Sequence, residues 1–281
     1  MKIAQVDRKE KLSTIEVEKD HQDVVHILVG YEFSWDFQRS LEIALMRTFA
    51  SPSISKLLNA TGEFKTRGQK RYDDTGLLVA EFMKHGYDSE RGKAAIQRMN
   101  ELHGRYNISN EDFLFVLSTF VLDPIDWISK YGRRSLSKEE CQSLFLFWQN
   151  IGVLMHLKDI PESLQELRVF SEAYKKQKCL YASTNRQVVD SVLIVLKDWF
   201  PIGCKWMVQP AVNALIDDTM RTSFGFGKHS KCLRLILETL LKTRGFILAC
   251  FPKRKASSFF CDKASRTYGA NSYEINDLGS S

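Results

Sequence analysis

Long apolar runs and helix-breaking residues are scarce in this sequence of 281 residues. No stretch of about 18 uninterrupted apolar residues occurs, so a membrane-spanning helix is not expected. Only 15 Gly and 6 Pro are present, while 44% of the residues are hydrophobic and 26% are charged. That composition excludes collagen-like repeats and intrinsic disorder. The first residues are densely charged and lack the apolar core of a secretory signal, so we expect a cytoplasmic protein.

Cysteine pairs are also missing. The six cysteines lie far apart, and none forms a C-x-x-C pair. This spacing argues against structural zinc, redox dithiols and covalent c-type haem, and it fits reduced thiols. The six are Cys141, Cys179, Cys204, Cys232, Cys250 and Cys261.

Charge of one sign is not concentrated along most of the chain. There are 40 Lys and Arg against 34 Asp and Glu, a formal net charge of +6. The one local concentration is 253–255 (Lys-Arg-Lys), with Lys263 and Arg266 behind it. We interpret it as a solvated basic tail and expect no nucleic-acid partner, because such a contact needs a longer basic run or interleaved aromatics.

Several enzyme signatures are absent. The sequence has no H-E-x-x-H, no G-x-x-x-x-G-K-[ST] phosphate loop, no G-x-G-x-x-G after a strand and no G-x-S-x-G. A di-iron carboxylate bundle needs two Glu-x-x-His helices, and only Glu18 to His21 fits that spacing. Those classes are therefore not expected.

Helical periodicity dominates after residue 33, and sustained period-two alternation is absent. We predict an all-α protein with one helical domain at 33–251, a charged N-terminal segment at 1–32 and a less regular basic C-terminal segment at 252–281. Helices are expected at roughly 68–85, 90–105, 113–122, 137–155, 161–178, 186–199, 211–222 and 230–245. The segments 113–122 and 144–155 are apolar on every side of the helix, which predicts that both are central helices surrounded by others. Asp123-Pro124 is expected to end the first of them, and Ser137 with Glu140 predicts a capping box.

One histidine falls on an apolar helix face. At about 100° per residue, His103 lies between Met99 and Ile96 on the apolar arc of its helix. A hydrogen-bonded core histidine is the more common meaning of such a placement. Ligation of a metal is the alternative.

An arginine and a threonine project from the apolar face of the preceding helix. Arg71 and Thr75 are one turn apart, and a buried guanidinium is costly unless it meets an anion. The anion is either a protein carboxylate, such as Asp73 or Asp112, or the carboxylate of a ligand. A histidine facing an Arg/Thr pair matches the needs of noncovalent haem, whose iron takes an imidazole and whose propionates take a donor fork.

These residues lie in motifs that resemble a known family. The motifs include 46–55 (MRTFASPSIS), 70–75 (KRYDDT) and 98–104 (RMNELHG), and they continue to 267–274. The chain resembles the mycophenolic-acid-pathway oxygenases and the bacterial rubber oxygenases (latex-clearing proteins) over roughly 33–280. The arginine-x-x-x-threonine pair followed about thirty residues later by the histidine is the specific part.

The resemblance implies a globin-like core that holds one haem b. It implies His103 as the axial iron ligand and Arg71 with Thr75 beside the haem, and it implies O2 chemistry on a small hydrophobic, alkene or isoprenoid-like substrate. The distal lysine of rubber oxygenases stands just before the threonine, where this chain has Asp74. The distal catalytic residues are therefore left unassigned. The alternative function is a haem-binding sensor, carrier or electron-transfer protein without turnover.

Overall fold

A computed structural model describes residues 5–252, 254–269 and 273–279 of the chain. Within those residues the chain is α-helical, with short π- and 3₁₀-helical turns between helices and no strand beyond one isolated bridge. The helices are α1 Gln5–Ser13, α2 Val17–Ile27, α3 Ser34–Thr48, α4 Pro52–Thr61, α5 Glu63–His85, α6 Glu90–His103, α7 Asn110–Tyr131, α8 Lys138–Leu154, α9 Leu164–Lys178, α10 Ser183–Asp198, α11 Lys205–Leu215, α12 Asp218–Ser223 and α13 Lys231–Cys250. The predicted all-α class is confirmed. The globin-like arrangement stays a prediction.

Side-chain caps fix where several helices begin. Ser89 and Ser109 each accept a hydrogen bond from a backbone N–H three residues ahead, at the starts of α6 and α7. The predicted capping box at the start of α8 is confirmed: Glu140 N donates to Ser137 Oγ over 3.1 Å, and Ser137 N donates to the Glu140 carboxylate over 2.8 Å. These bonds satisfy amide groups that a helix start leaves without partners.

The expected helix end at Asp123-Pro124 is wrong. Pro124 lies inside α7, which continues to Tyr131. An internal proline costs a helix about 3 kcal/mol, so packing must offset it. Helix α7 is the central helix as predicted, because it packs against α3, α8, α9 and α13. Burial on several sides holds this segment helical where the local sequence favours an end.

Two other predicted boundaries differ from the structure. The segment expected as one helix at 211–222 forms α11 and α12, because Asp217 Oδ1 accepts from Met220 N over 2.8 Å and caps a new helix. The charged N-terminal segment 1–32, predicted to lie outside the helical domain, contains α2, which packs in the core against α8. Both differences depend on hydrogen bonds and tertiary contacts, about which helical periodicity gives no information.

The core consists of two groups of buried apolar residues. The larger one is built mainly from α2, α5, α7 and α8, and the smaller one mainly from α3, α9, α10 and the segment around α12. Ion pairs also join helices of these two groups. Arg47 on α3 contacts Asp123 on α7, with Nη2 to Oδ1 at 2.7 Å, and it also contacts Asp217 at the start of α12.

Candidate functional site

A large cavity lies where the two apolar groups meet. Its volume is about 810 Å³, within the range of roughly 300–1,000 Å³ that is typical of small-molecule sites. Helices α3 to α8 all contribute lining residues, and most of these residues are apolar. Leu78 and Trp148 come from the larger group, and Phe49 and Phe64 come from the smaller one.

The structure brings the three predicted site residues to this cavity. Arg71 and Thr75 reach it from α5, and His103 reaches it from the last position of α6. Helix α5 bends at Arg67, whose backbone is not helical, and the regular part of the helix carries the pair. The imidazole, the guanidinium and the hydroxyl predicted from helix faces therefore share one void, although their roles stay predictions.

The His103 ring is not satisfied by the protein. It packs edge-on against Phe113, with ring centroids 5.3 Å apart. Its Nδ1 is buried and has no hydrogen-bond partner within the described residues. Burial, together with the positive charge of Arg71, lowers the pKa of His103 to about 4. The ring is therefore neutral near pH 7, which is the form that binds metal ions.

Arg71 lacks a carboxylate partner in the described part of the chain. The guanidinium contacts Thr75, whose Oγ1 accepts from Nη1, and the Phe64 ring, whose centroid lies 5.9 Å from the guanidinium carbon. Desolvation lowers the pKa of Arg71, although Asp74 and Glu63 oppose this effect from a distance. A desolvated cation without an ion pair favours an anionic ligand in the cavity.

The internal ion pairs considered as an alternative do not form. Asp73 accepts from Gln69 Nε2 over 3.0 Å and from Thr267 N over 2.8 Å. Asp112 accepts from Ser53 Oγ over 2.9 Å and from the Tyr174 hydroxyl. Neither carboxylate binds Arg71 or His103 among the described residues.

The C-terminal segment closes part of the site, which periodicity could not reveal. Tyr268 Oη donates to Asp74 over 2.6 Å, Lys70 Nζ donates to Gly279 O over 2.9 Å, and Arg98 Nε donates to Leu278 O over 2.8 Å. Gly279 itself lines the cavity. Asp74 thus anchors this segment to α5.

Trp148 is a further site residue that the helix pattern could not single out. It lines the cavity from α8, and its indole Nε1 is buried without a hydrogen-bond partner in the described residues. Its apolar surroundings suggested a core position. The unpaired N–H is visible only in three dimensions, and it offers a donor to a bound molecule.

These observations test whether a haem suits the residues present. The cavity is large and mostly apolar, one imidazole in it carries an unsatisfied nitrogen, and one desolvated guanidinium lacks a carboxylate. Iron coordination and propionate binding call for those two groups. The donor set fits the group, and His103, Arg71 and Thr75 are the residues that could hold it.

Fold and site together describe an all-α protein with a large, mostly apolar cavity among the described residues. No family model matches the chain. It is 29% identical over 240 residues to the ER-bound oxygenase mpaB' of Penicillium brevicompactum, covering 77% of this chain and 56% of that protein. It is 28% identical over 213 residues to the ER-bound oxygenase mpaB of Penicillium roqueforti (strain FM164), covering 68% and 70% respectively. A third match, to the ER-bound oxygenase mpaB of P. brevicompactum, has 30% identity over 183 residues and covers 59% and 47%.

The chain is homologous to these proteins named ER-bound oxygenase mpaB, which confirms its resemblance to the mycophenolic-acid-pathway oxygenases, whereas the resemblance to the rubber oxygenases stays a prediction. It spans between about half and about 70% of the length of these curated relatives. The names of the relatives place them at the ER, so the cytoplasmic location expected for this chain stays a prediction. None of the helices in the described ranges combines the length and apolar character needed to cross a bilayer.

Proposed function

We propose that this chain is a haem b-dependent oxygenase that uses O2 on a hydrophobic, alkene or isoprenoid-like substrate. One observation carries the proposal: among the described residues, His103 with an unpaired ring nitrogen and Arg71 without a carboxylate partner line the same apolar cavity. The relatives are named oxygenases, which supports this choice among the functions open to a haem-binding cavity.

Each site residue has a distinct part in the proposal. His103 is the iron ligand, and its position at the end of α6 beside Phe113 fixes the ring. Arg71 binds a propionate, and Thr75 orients the guanidinium by accepting from Nη1. A haem held by these residues would supply the redox-active iron at which molecular oxygen is activated.

The apolar walls have two tasks in the proposed reaction. Leu78, Val116, Leu117 and Phe120 bind an apolar substrate by removing its surface from water. They also keep bulk water from the reacting groups, which protects reactive species from side reactions. His103 is the one histidine that lines the cavity among the described residues, so this cavity would provide no second imidazole to a bound haem. That feature favours an oxygenase over a carrier that holds its haem with two histidines.

The test is the visible absorption spectrum of the purified chain after incubation with haem. We expect a Soret band, and we expect His103→Ala to lose it or shift it. Arg71→Ala should keep the band but bind haem about tenfold or more weakly, because a charge-assisted hydrogen bond contributes about 1.5–3 kcal/mol. His229→Ala, which changes a histidine outside the cavity lining, is the matched control.

Two outcomes would contradict the proposal at different levels. No Soret band in the wild type, or identical bands in wild type and His103→Ala, would remove haem binding through this residue. A normal haem spectrum with no carbon monoxide adduct after reduction, and no O2 consumption with alkenes, would leave the sensor or carrier alternative.

A further inference from the structure

The outer face of α13 is apolar, uncharged and uncovered. At 100° per residue, an arc of about 140° on this helix holds Leu235, Ile236, Leu240, Phe246 and Ile247. The other residues on that arc are Thr and Cys, and all of these positions are exposed. Phe246 alone is 73% exposed. We call this surface the α13 face.

Contacts on the opposite side prevent α13 from turning this face inward. Arg244 Nη1 donates to Asp36 Oδ1 over 2.9 Å, and its guanidinium stacks 3.7 Å from the Trp35 ring centroid. Glu238 accepts from Lys130 Nζ over 2.7 Å. A Cβ on Gly245 would lie 2.5 Å from a backbone oxygen of α7, so the two helices touch at the backbone. The uncovered state of the α13 face is therefore a fixed feature of the fold.

Exposed apolar residues also lie at the start of the helix that packs against α13. Helix α11 packs against α13 and begins just after the 3₁₀ turn Ile202–Cys204. Ile202 is 87% exposed and Trp206 is 72% exposed, and Met207 beside Trp206 is exposed as well. A contiguous apolar arc such as the α13 face marks a protein or membrane interaction site rather than ordinary surface.

The charge around the α13 face is strongly positive. Residues 228–255 contain eight Lys or Arg and one Asp or Glu, in a chain whose total is +6. The one acidic residue, Glu238, is already paired with Lys130 and Arg234. Exposed basic residues remain at Lys231 and Lys242, which flank the arc, and they have no ion pair among the described residues. The rim of the face therefore carries an uncompensated positive charge.

We propose that the α13 face docks on the surface of an anionic phospholipid bilayer. An interfacial helix puts its apolar side, rich in Trp, Phe and Leu, at the acyl boundary and its Lys and Arg at the headgroups. A second copy of this chain is a poorer occupant, because self-association would bring two positive rims together. The 253–255 cluster, interpreted from sequence as a solvated tail, contributes Arg254 and Lys255 at exposed positions just beyond α13. This inference concerns membrane attachment and does not depend on haem.

The test is flotation of the full chain with vesicles of phosphatidylcholine alone or of phosphatidylcholine with phosphatidylserine. The wild type should bind the anionic vesicles, and binding should weaken as salt is raised. Each basic residue near an anionic leaflet strengthens binding about fivefold. Lys231→Ala with Lys242→Ala should therefore weaken binding to anionic vesicles roughly 25-fold, and Phe246→Asp should weaken it about tenfold or more.

Matched controls lie on α9. Val169→Asp and Lys176→Ala change an exposed apolar residue and an exposed basic residue away from the α13 face, and binding should be unchanged. Circular dichroism checks that each variant folds. The proposal is overturned if the wild type does not float with anionic vesicles, or if Phe246→Asp floats as well as the wild type. A wild-type dimer that Phe246→Asp converts to a monomer, without vesicle binding, would assign the face to a second copy instead.

Discussion

Replacing Arg47 by leucine tests whether a buried ion pair holds α3 on α7. Arg47 donates to both carboxylate oxygens of Asp123, with Nε to Oδ2 at 2.9 Å and Nη2 to Oδ1 at 2.7 Å. Each side chain is only about a tenth exposed. Arg47→Leu therefore leaves the Asp123 carboxylate buried without its partner. Breaking a buried pair in this way costs about 3–5 kcal/mol, a large share of the roughly 5–15 kcal/mol that stabilises an ordinary domain.

A surface pair on the same helix supplies the control. Arg168 binds Asp126, three residues along α7 from Asp123, through two hydrogen bonds of 2.8 and 3.1 Å, and both side chains are about half exposed. Arg168→Leu should cost no more than about 1 kcal/mol. Urea unfolding followed by circular dichroism measures both free energies of unfolding. A loss for Arg47→Leu no larger than the loss for Arg168→Leu would refute the reasoning.

The pH dependence gives a second check on the same variant. Burial raises the pKa of Asp123 above its ordinary value even though Arg47 opposes the shift, so removing Arg47 should raise that pKa further. When the pKa of a carboxyl group is higher in the folded than in the unfolded state, the free energy of unfolding falls as the pH rises, because the folded form binds the proton more tightly. The deficit of Arg47→Leu should therefore be smaller at mildly acidic pH than at neutral pH. A deficit that grew on acidification would contradict this assignment.

Two further substitutions test the buried carboxyl group of Glu42 on α3 and the contact of α13 with α7. Burial raises the pKa of Glu42, which accepts a hydrogen bond from Tyr72, to about 7. Ionisation of Glu42 therefore opposes folding as the pH rises from the ordinary pKa of a glutamate to that value. Over this pH interval the free energy of unfolding of Glu42→Gln, measured in urea, should rise by up to about 3 kcal/mol relative to the wild type. Gly245→Ala should cost about 1–3 kcal/mol because its Cβ would lie 2.5 Å from Tyr131 O, whereas Gly203→Ala, with nothing within 4 Å, should change the thermal midpoint little. A pH-independent difference for the first, or equal midpoints for the two glycine variants, would contradict these expectations.

Local sequence was sufficient for features that depend on a helix alone. The capping pair Ser137 and Glu140 was predictable because both partners lie within one turn of chain. The placement of Arg71 and His103 on apolar helix faces was predictable for a similar reason, since helical geometry fixes which residues share a face. What lay on the other side of each face was not predictable in the same way, because it depends on contacts between residues far apart in sequence.

The amino-acid sequence was enough to predict the helical class, several helix starts and the polar residues that stand on apolar faces, because caps and periodicity are properties of neighbouring residues. The continuation of α7 through Pro124 depends on tertiary contacts, since the packing of four other helices outweighs a local cost. The tertiary structure also decided that Asp74 ties down the C-terminal segment beside the cavity. Helix α13 shows the difference most directly: its residues are apolar on several sides, and the fold covers one side while leaving Phe246 and its neighbours exposed.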